Sequence, residues 1–363
     1  MVVAMTDIVL IGGGHCHALV LRLWGMNPLP GVRVTVINPG PTAPYSGMLP
    51  GFVAGHYERD ELDIDLVRLA QFAGAQLING AATGIDRDAQ MVHVSGHASI
   101  RYDLCSVDIG ITSEMPQTPG FSQHGVPAKP LGVFASRWDQ YRATAIDPKV
   151  AIIGGGVAGA ELAMAMAHAL SDRAPQVTLI DRGTALSALG DRARVKMHAA
   201  LDAQGVDLLE NAEVSALTQN GVLLVEGQEI LSDFVVGAAG AKPHDWIADT
   251  GLALEDGYII VDPTLASYDS RIFAVGDCAH LAFDPRPKAG VYAVRQAPIL
   301  FDNLRAVISG GVTRPYKPQK DYLKLVSLGR KSALAERFGM AWGGSSLWRL
   351  KNHIDRKFMR QFD

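Results

Sequence analysis

The sequence has little cysteine, little net charge and no long uninterrupted apolar run. Its 363 residues include three cysteines, too few and too scattered for a disulfide scaffold or a four-thiolate zinc site. Lys and Arg number 33 against 37 Asp and Glu, giving a net charge of −4, so the composition provides no reason to expect a nucleic acid partner. With 48% hydrophobic and 19% charged residues, the chain can bury a sizeable core, which excludes disorder of the whole chain.

Neither a leader peptide nor a membrane-spanning helix is expected. No Lys or Arg precedes the first apolar run, which begins at Ile8 and is interrupted by three glycines, so the pattern of a signal peptide is missing. Residues 150–170 are apolar over the length of a membrane span, but another glycine triplet and Glu161 interrupt them. These features favour the cytoplasm, and peripheral contact with the inner face of the membrane stays open.

Glycine is abundant, and its positions indicate two similar units. Glycine accounts for 38 of the 363 residues, about one in ten, whereas its usual share is about 7%. A β-branched run ends at Ile11, three glycines and a helix-compatible stretch follow, and residues 32–37 predict a second strand. The order recurs at 150–153, 154–156, 157–170 and 177–180. Two βαβ units of this kind predict an α/β fold with two Rossmann-like, three-layer dinucleotide-binding domains.

The second glycine turn matches the dinucleotide fingerprint in full. Gly154, Gly156 and Gly159 supply the GxGxxG pattern between a predicted strand and a predicted helix. They allow a tight turn, close approach of a pyrophosphate, and close packing of helix and strand. Asp181 ends the next strand, 22 residues after Gly159, where an acid holds ribose hydroxyls and favours NADH. Arg182 beside it keeps NADPH open.

The first glycine turn departs from the pattern. Gly12 and Gly14 are present, but His17 replaces the third glycine and Asn38 stands at the acid position. With a histidine at this position, either the helix and the strand cannot approach each other as closely, or the side chain of His17 points away from them. Asn38 can still hydrogen-bond a ribose, without charge. His15 is expected beside a diphosphate, and no metal site is expected at His15–His17 because adjacent residues project in different directions.

A third motif turns these two into a family resemblance. Residues 271–280 place Gly276 and Asp277 after a predicted buried strand. With the two glycine turns, this order resembles the pyridine nucleotide-disulfide oxidoreductase superfamily. The resemblance implies FAD in the first unit, with Asp277 on its ribityl chain, and NADH or NADPH in the second. Asp108 and Ile109 depart from the alanine and threonine of that family. The residues then expected to bind FAD are Gly12, Gly14, His15, Asn38, Met48, Pro50, Ala82, Ile109, Gly110, Gly276, Asp277 and Ala289.

The cysteine positions narrow the resemblance. Cys16, Cys105 and Cys278 are 89 and 173 residues apart, so no sequence-close dithiol can relay electrons. A flavoprotein without a thiol relay resembles the type II NADH dehydrogenases. The segment 44–56 is also similar to their loop beside the flavin ring. Further segments are similar to a branch associated with selenophosphate synthetase: the GGGHxHA start, the PYSGMLPG loop, residues 287–296 and residues 354–359.

The resemblance implies an FAD-dependent NAD(P)H dehydrogenase. Hydride would pass from NADH to the flavin, and electrons then to a quinone or another small-molecule acceptor. Two alternatives stay open. One is a flavin-dependent reductase of sulfur or selenium species linked to selenophosphate synthesis, and the other is a redox-sensing flavoprotein without enzymatic turnover.

Two residues are candidates for the chemistry. Glu161 follows the second fingerprint and, in similar enzymes, lies near the nicotinamide and flavin rings, where it could orient a ring or relay a proton. It could equally be an acid favoured by the helix dipole. Lys288 opens the 287–296 segment, where positive charge would stabilise reduced anionic flavin. The alternative is a solvated lysine in a loop.

The domain boundaries follow from the motif order. We predict a discontinuous FAD domain over 1–112 and 255–312, an NAD(P)H domain over 113–254, and a C-terminal module over 313–363. Residues 345–362 predict a basic amphipathic helix. Its apolar face either packs on the flavin domain or lies on an anionic membrane. That face is predicted to contain Leu347, Leu350, Ile354, Phe358 and Phe362. The sequence specifies neither the acceptor nor an oligomeric state.

Overall fold

The computed structural model describes residues 5–363, which form two parallel sheets with flanking helices. The described α-helices are α1 (His15–Met26), α2 (Leu49–Val53), α3 (Arg59–Leu62), α4 (Leu66–Ala73), α5 (Phe121–His124), α6 (Leu131–Thr144), α7 (Val157–Ala169), α8 (Asp191–Ala203), α9 (Gly290–Ile308) and α10 (Ser345–Met359). The described strands up to the middle of the chain are β1 (Thr6–Ile11), β2 (Val32–Asn38), β3 (Thr42–Pro44), β4 (Asp63–Asp65), β5 (Gln76–Asn79), β6 (Ala82–Asp86), β7 (Met91–Val94), β8 (Ile100–Arg101), β9 (Leu104–Val107), β10 (Thr112–Ser113), β11 (Gly125–Pro127), β12 (Lys149–Ile153) and β13 (Gln176–Ile180).

The remaining strands belong to the second half of the chain. They are β14 (Val206–Leu209), β15 (Val214–Thr218), β16 (Gly221–Leu224), β17 (Glu229–Leu231), β18 (Phe234–Gly237), β19 (Ala241–Lys242), β20 (Leu254–Glu255), β21 (Tyr258–Val261), β22 (Ile272–Ala274), β23 (Ala279–Leu281), β24 (Lys324–Ser327), β25 (Ala333–Arg337) and β26 (Met340–Gly344). Short 3₁₀ turns occur as well, one of them over Gly276–Cys278.

The first parallel sheet has the strand order β22-β9-β1-β2-β5. Its central strand, β1, pairs with β2 on one side and β9 on the other, and each pairing is parallel. Residues 8–11 are almost completely buried, as expected for a parallel strand covered on both faces. β22 joins the sheet from far along the chain, beside β9. The Gly276–Asp277 turn thereby follows a strand of the same sheet as the first glycine turn.

The second parallel sheet repeats this plan, with the order β11-β18-β12-β13-β14. All four of its pairings are parallel. Each unit also carries a three-stranded antiparallel sheet, β6-β7-β8 in the first and β15-β16-β17 in the second. The chain passes between the units twice, at β10 and β19, which pair with each other. The predicted α/β fold is confirmed, and the domain boundaries stay a prediction.

The apolar stretch at residues 150–170 divides into three elements. It forms the end of β12, the glycine turn and α7. Within residues 5–363, no helix combines the length and apolar character needed to cross a membrane. The stretch is apolar because its strand and helix both lie inside the second core, where Ile152, Leu162 and Met164 are buried.

One short helix from the first part of the chain packs into the second core. Leu49, Phe52 and Val53 of α2 are buried in the apolar cluster that contains α7 and Trp138 of α6. The indole N–H of Trp138 donates to the backbone oxygen of Val53 at 3.1 Å. The segment 44–56 therefore lies between the two sheets rather than on the outside of the first.

The C-terminal residues form a small antiparallel sheet and α10. The sheet has the order β24-β25-β26. Phe358 and Phe362 bury their rings in the first core, so α10 packs on that unit. The predicted helix face is wrong in its middle: Leu350 and Ile354 are 41% and 42% exposed. Asp355 occupies the buried side instead, because it has polar partners there.

Candidate cofactor-binding site

The first glycine turn connects the end of β1 to α1 and leaves N–H groups open. Gly12 has φ +90°, and a Cβ atom there would lie 2.3 Å from the Asp108 backbone oxygen, so this position requires glycine. The N–H groups of Gly14 and His15 have no acceptor within the described residues. Open N–H groups at a helix N-terminus suit a diphosphate. The predicted FAD residues Gly12, Gly14 and His15 are therefore placed where a diphosphate fits.

His17 is buried behind this turn, and both of its ring nitrogens are bonded. Nδ1 lies 2.7 Å from the backbone oxygen of Gly12, and Nε2 lies 2.8 Å from the hydroxyl oxygen of Ser106 on β9. Burial lowers the pKa of His17 to about 4, so its ring is neutral near pH 7. A neutral ring donates from Nδ1 to Gly12 and accepts from Ser106. The side chain points into the space between helix and sheet instead of away from it.

Asp108 explains the first of the two departures at the end of β9. One carboxylate oxygen, Oδ2, accepts hydrogen bonds from the N–H groups of Cys16 and His17, both at 3.0 Å. It therefore caps α1 from a different strand, using the two N–H groups that follow the open ones. A Cβ atom on Gly276 would lie 2.5 Å from the other oxygen, Oδ1. Asp108 thus fills the space between the first glycine turn and the Gly276–Asp277 turn.

The predicted ribose residue Asn38 is engaged with the backbone at both ends of its amide. Its Oδ1 accepts from the N–H of Gly13 at 2.9 Å, and its Nδ2 donates to the oxygen of Gly40 at 2.8 Å. Asn38 lies opposite Asn79 at the end of β5, and Ala82 begins β6 shortly afterwards. Asn38 and Ala82 therefore lie at the same edge of the first unit, and their contact with FAD stays a prediction.

Three chain segments meet around His15. A Cβ atom on Gly290, the first residue of α9, would lie 3.3 Å from Nδ1 of His15 and 3.7 Å from the hydroxyl of Ser46. The ring of His15 lies 5.2 Å, edge-on, from that of Tyr45. The other predicted FAD residues border this region: Met48 precedes α2, Pro50 lies within it, Ile109 contacts the Gly12 position, Gly110 follows, and Ala289 is the N-cap of α9.

The Gly276–Asp277 turn brings in a lysine that sequence reasoning missed. The N–H of Gly276 donates to Oε1 of Gln296 on α9 at 2.7 Å. Nζ of Lys129, which lies between β11 and α6, is 3.7 Å from Oδ2 of Asp277. Lys129 belongs to the second unit by sequence, and no local pattern indicates that it reaches the first.

The second glycine turn has the geometry of the full fingerprint. A Cβ atom on Gly159 would lie 1.9 Å from the backbone oxygen of Gly154, whereas one on Gly156 would meet no atom within 4 Å. The N–H of Gly156 has no acceptor within residues 5–363. Asp181 accepts from the N–H groups of Gly155 at 2.6 Å and Gly183 at 2.8 Å. The turn, the open N–H and the carboxylate suit a nicotinamide dinucleotide.

Glu161 lies in α7, half-buried beneath the C-terminal residues. Its Oε1 accepts from the N–H of Ser327 on β24 at 2.6 Å. Burial raises the pKa of Glu161 to about 7, although the charge of Lys351 opposes this. Nζ of Lys351 donates to Asp355 at 2.7 Å and to the backbone oxygen of Gly47 at 2.5 Å. The helical spacing of Lys351 and Asp355 could have suggested their pairing, but nothing local indicates that they face Glu161.

The other candidate, Lys288, is half-buried and makes two contacts. Its Nζ donates to the backbone oxygen of Ala279 at 2.6 Å and lies 3.9 Å from the centre of the Tyr258 ring. Burial lowers the pKa of Lys288, whereas the charge of Asp277 raises it. The structure therefore places Lys288 beside the Gly276–Asp277 turn, and its action on the flavin stays a prediction.

Two parallel sheets, each ending in a dinucleotide turn, define a class of α/β oxidoreductases with two nucleotide sites. The model of one family in that class matches residues 6–297. The chain belongs to the pyridine nucleotide-disulphide oxidoreductase family, as the sequence predicted. Proteins of this family bind FAD and NAD(P)H, which confirms the expected cofactors.

Individual relatives agree with this assignment. The NADH dehydrogenase-like protein YutJ of Bacillus subtilis (strain 168) is 25% identical over 367 residues, covering 96% of this chain and 99% of that protein. The nitric oxide reductase FlRd-NAD(+) reductase of Shigella dysenteriae serotype 1 (strain Sd197) is 30% identical over 210 residues, covering 55% of this chain and 52% of that protein.

A solved structure shows the same fold. The sulfide:quinone oxidoreductase from the hyperthermophilic bacterium Aquifex aeolicus matches with a TM-score of 0.78 at 18% identity. The match covers 98% of this chain and 91% of that one. It therefore includes the C-terminal sheet and α10 as well as the two parallel sheets.

Proposed function

We propose that the chain is an FAD-dependent NAD(P)H dehydrogenase that delivers electrons to a quinone or another small-molecule acceptor. The observation that carries the proposal is the pair of open glycine turns, one on each parallel sheet. When bound, FAD accepts a hydride from the nicotinamide and passes its electrons on, which is chemistry of the cofactors rather than of side chains. The protein contributes binding, orientation and electrostatics.

The first unit would hold FAD. The N–H groups of Gly14 and His15 would bind its diphosphate, and the carboxylate of Asp277 would accept hydrogen bonds from ribityl hydroxyls. The second unit would hold NADH through the turn at Gly154–Gly156. The carboxylate of Asp181 favours NADH, since its charge repels the additional phosphate of NADPH.

Glu161 is the candidate for holding a proton near the reacting rings. With its pKa raised to about 7 by burial, the carboxyl group is populated in both protonation states near neutral pH, which suits a general acid or base. Lys351 and Asp355, which form an ion pair in α10, supply a polar connection from this carboxyl to the segment at Gly47. Lys288 is the candidate for positive charge near reduced flavin.

The exposed part of α10 supports contact with an anionic membrane, where quinones reside. Leu350 and Ile354 face outward, and Arg349, Lys357 and Arg360 are exposed near them. Apolar and cationic side chains on one exposed helix surface suit the interface of an anionic bilayer. The two predicted roles of the helix are thereby combined: Phe358 and Phe362 pack on the first unit, and the outer surface is available to lipid.

The cysteines disfavour the alternative in which the protein forms a covalent bond to sulfur or selenium. Cys16, Cys105 and Cys278 are all buried and free. Burial raises the pKa of Cys16 and Cys105, and that of Cys278 to about 12. Since the thiolate is the nucleophile, such thiols react slowly. The link to selenophosphate synthesis stays a prediction.

The test is anaerobic mixing of the purified holoprotein with NADH. We expect rapid loss of flavin absorbance, followed by reoxidation when a quinone is added. An acceptor panel of quinones, dyes, oxygen, polysulfide and selenium compounds, with and without liposomes, identifies the second substrate. Flavin that stays oxidised with NADH and with NADPH contradicts the proposal. Flavin that is reduced but reoxidised slowly by every acceptor favours the redox-sensing alternative.

A further inference from the structure

Asp108 is a buried carboxylate that faces the proposed FAD site with one oxygen unbonded. The residue is 3% exposed. Oδ2 accepts from the N–H groups of Cys16 and His17, whereas Oδ1 has no hydrogen-bond partner within the described residues and lies against Gly276. Burial of the residue disfavours the charged form of its carboxyl group. The oxygen lies between the two turns that the FAD diphosphate and ribityl chain would contact.

The titratable groups around Asp108 add no positive charge to it. Asp277, from the turn on the other side of Gly276, has the same charge and raises the pKa of Asp108, while burial is the larger cause and brings that pKa to about 7. The thiol groups of Cys16 and Cys278 also act on Asp108 electrostatically. With their pKa values raised by burial, both thiols are neutral at pH 7.

The cations and the two histidines near this point do not pair with Asp108; burial lowers the pKa of His15, so its ring is neutral at pH 7. Lys129 pairs with Asp277 at 3.7 Å, and Lys288 donates to the backbone oxygen of Ala279. His17 is neutral and bonded to Gly12 and Ser106. No cationic side chain among residues 5–363 forms an ion pair with Asp108. Among the described residues, the hydrogen-bond donors to Asp108 are the N–H groups of Cys16 and His17.

A bound diphosphate would compete for that stabilisation. It would use the N–H groups of Gly14 and His15, directly before the two that Asp108 uses, so two anions would share the first turn of one helix. Two negative charges bound by neighbouring N–H groups of one buried helix turn disfavour each other strongly. A protonated Asp108 removes the repulsion, and its free oxygen could then donate a hydrogen bond to an oxygen of FAD.

We propose that Asp108 takes up one proton from solvent when FAD binds, so that the affinity of the protein for FAD falls as the pH rises. The proposal rests on the proposed FAD site and makes Asp108 a cofactor-positioning residue. The phosphate groups of FAD are already ionised at about pH 6, so they do not contribute a proton of their own over this range. The amide of an Asp108→Asn variant imitates the protonated acid, since its oxygen can still accept from α1.

The experiment is to dilute the holoprotein at about pH 6, 7 and 8 and to measure released FAD by its fluorescence. For the wild type, linkage of one proton predicts that the dissociation constant for FAD rises about tenfold from pH 6 to pH 8. Asp108→Asn should bind FAD with a constant that is flat over this range. Asp108→Ser, which also lacks a titratable group, should be flat as well and serves as a second variant.

The matched control is Asp103→Asn. Asp103 also accepts a backbone N–H, that of Asp7 at 2.8 Å, but at the opposite end of β1, so the variant should keep the pH dependence of the wild type. A flat wild type, or a dependence that survives in both Asp108 variants, overturns the inference while leaving the proposed function intact. A protein that binds no FAD at any pH contradicts the proposed function and the inference with it.

Discussion

In the second glycine turn, α7 approaches the end of β12 so closely that a Cβ atom on Gly159 would lie 1.9 Å from the Gly154 oxygen. At the same position in the first turn, His17 places a whole ring between α1 and the sheet. The ring is accommodated because Gly12 and Ser106 satisfy both of its nitrogens. Close contact and a satisfied polar side chain are therefore two ways to join a helix to a sheet at a dinucleotide turn.

The two turns also differ in their charges. The second turn presents a carboxylate, Asp181, to the N–H of Gly155, and the first presents the neutral amide of Asn38 to the N–H of Gly13. The first turn instead carries its acid, Asp108, on the neighbouring strand at the helix end. The acid of the second turn lies at the predicted ribose position, whereas that of the first turn lies at the N-terminus of α1. The two charges would therefore act on different parts of a bound dinucleotide.

The largest effect is expected from removing the ring that distinguishes the first turn. His17→Ala should lower the free energy of unfolding by about 2–4 kcal/mol, because it leaves a cavity and unpairs the Gly12 oxygen and the Ser106 hydroxyl. Thermal and denaturant unfolding measure this. His93→Ala, at an exposed histidine, is the control and should change little. Equal stability of the two variants would show that the ring does not replace the missing glycine.

A smaller effect is expected from adding a methyl group to the second turn. In Gly159→Ala the new Cβ clashes with the Gly154 oxygen, at a cost of roughly 1–3 kcal/mol. We expect KM for NADH to rise about tenfold or more while the FAD content is unchanged. Gly132→Ala, whose Cβ in α6 would meet its nearest atom at 3.6 Å, is the control. An unchanged KM in both variants would show that α7 can lie farther from the sheet, as α1 does.

The smallest effect is expected from giving the second turn the amide of the first. Asp181→Asn removes the charge that repels the additional phosphate of NADPH, so the preference for NADH should narrow by about fivefold, or about 1 kcal/mol. The ratio of kcat/KM for NADH to that for NADPH measures it. A ratio identical to that of the wild type would place the selecting charge elsewhere, with Arg182 as the next residue to vary.

The parts of the fold that a short sequence window specifies were predictable. β1, α1 and β2, and their counterparts around Gly154, follow from apolar runs broken by glycines, and the structure contains them. The segment 310–320, whose glycines and prolines are typical of a linker, has neither helix nor strand. Even so, Tyr316 is buried there, and its N–H donates to the oxygen of Pro263 at 2.7 Å, so the segment is packed on the first unit.

The parts that depend on distant partners were not predictable. The periodicity of α10 assigned Leu350 and Ile354 to the inner face, but the helix buries Asp355 because Lys351 and Tyr45 provide polar partners. Lys129 reaches Asp277 across about 150 residues of sequence. The sequence showed that Asp108 departs from the family pattern. Its role at the N-terminus of α1 depends on β9 lying next to β1, which no local pattern indicates.

The position of α2 has a consequence for motion. Leu49, Phe52 and Val53 are buried among residues of α6 and α7, although they enter from the loop that borders His15. Swinging one sheet away from the other would expose this apolar seam and break the bond from Trp138 to Val53. Because separating the two sheets would lose the burial of these side chains, we expect the two units to keep a fixed separation rather than to rotate about a hinge.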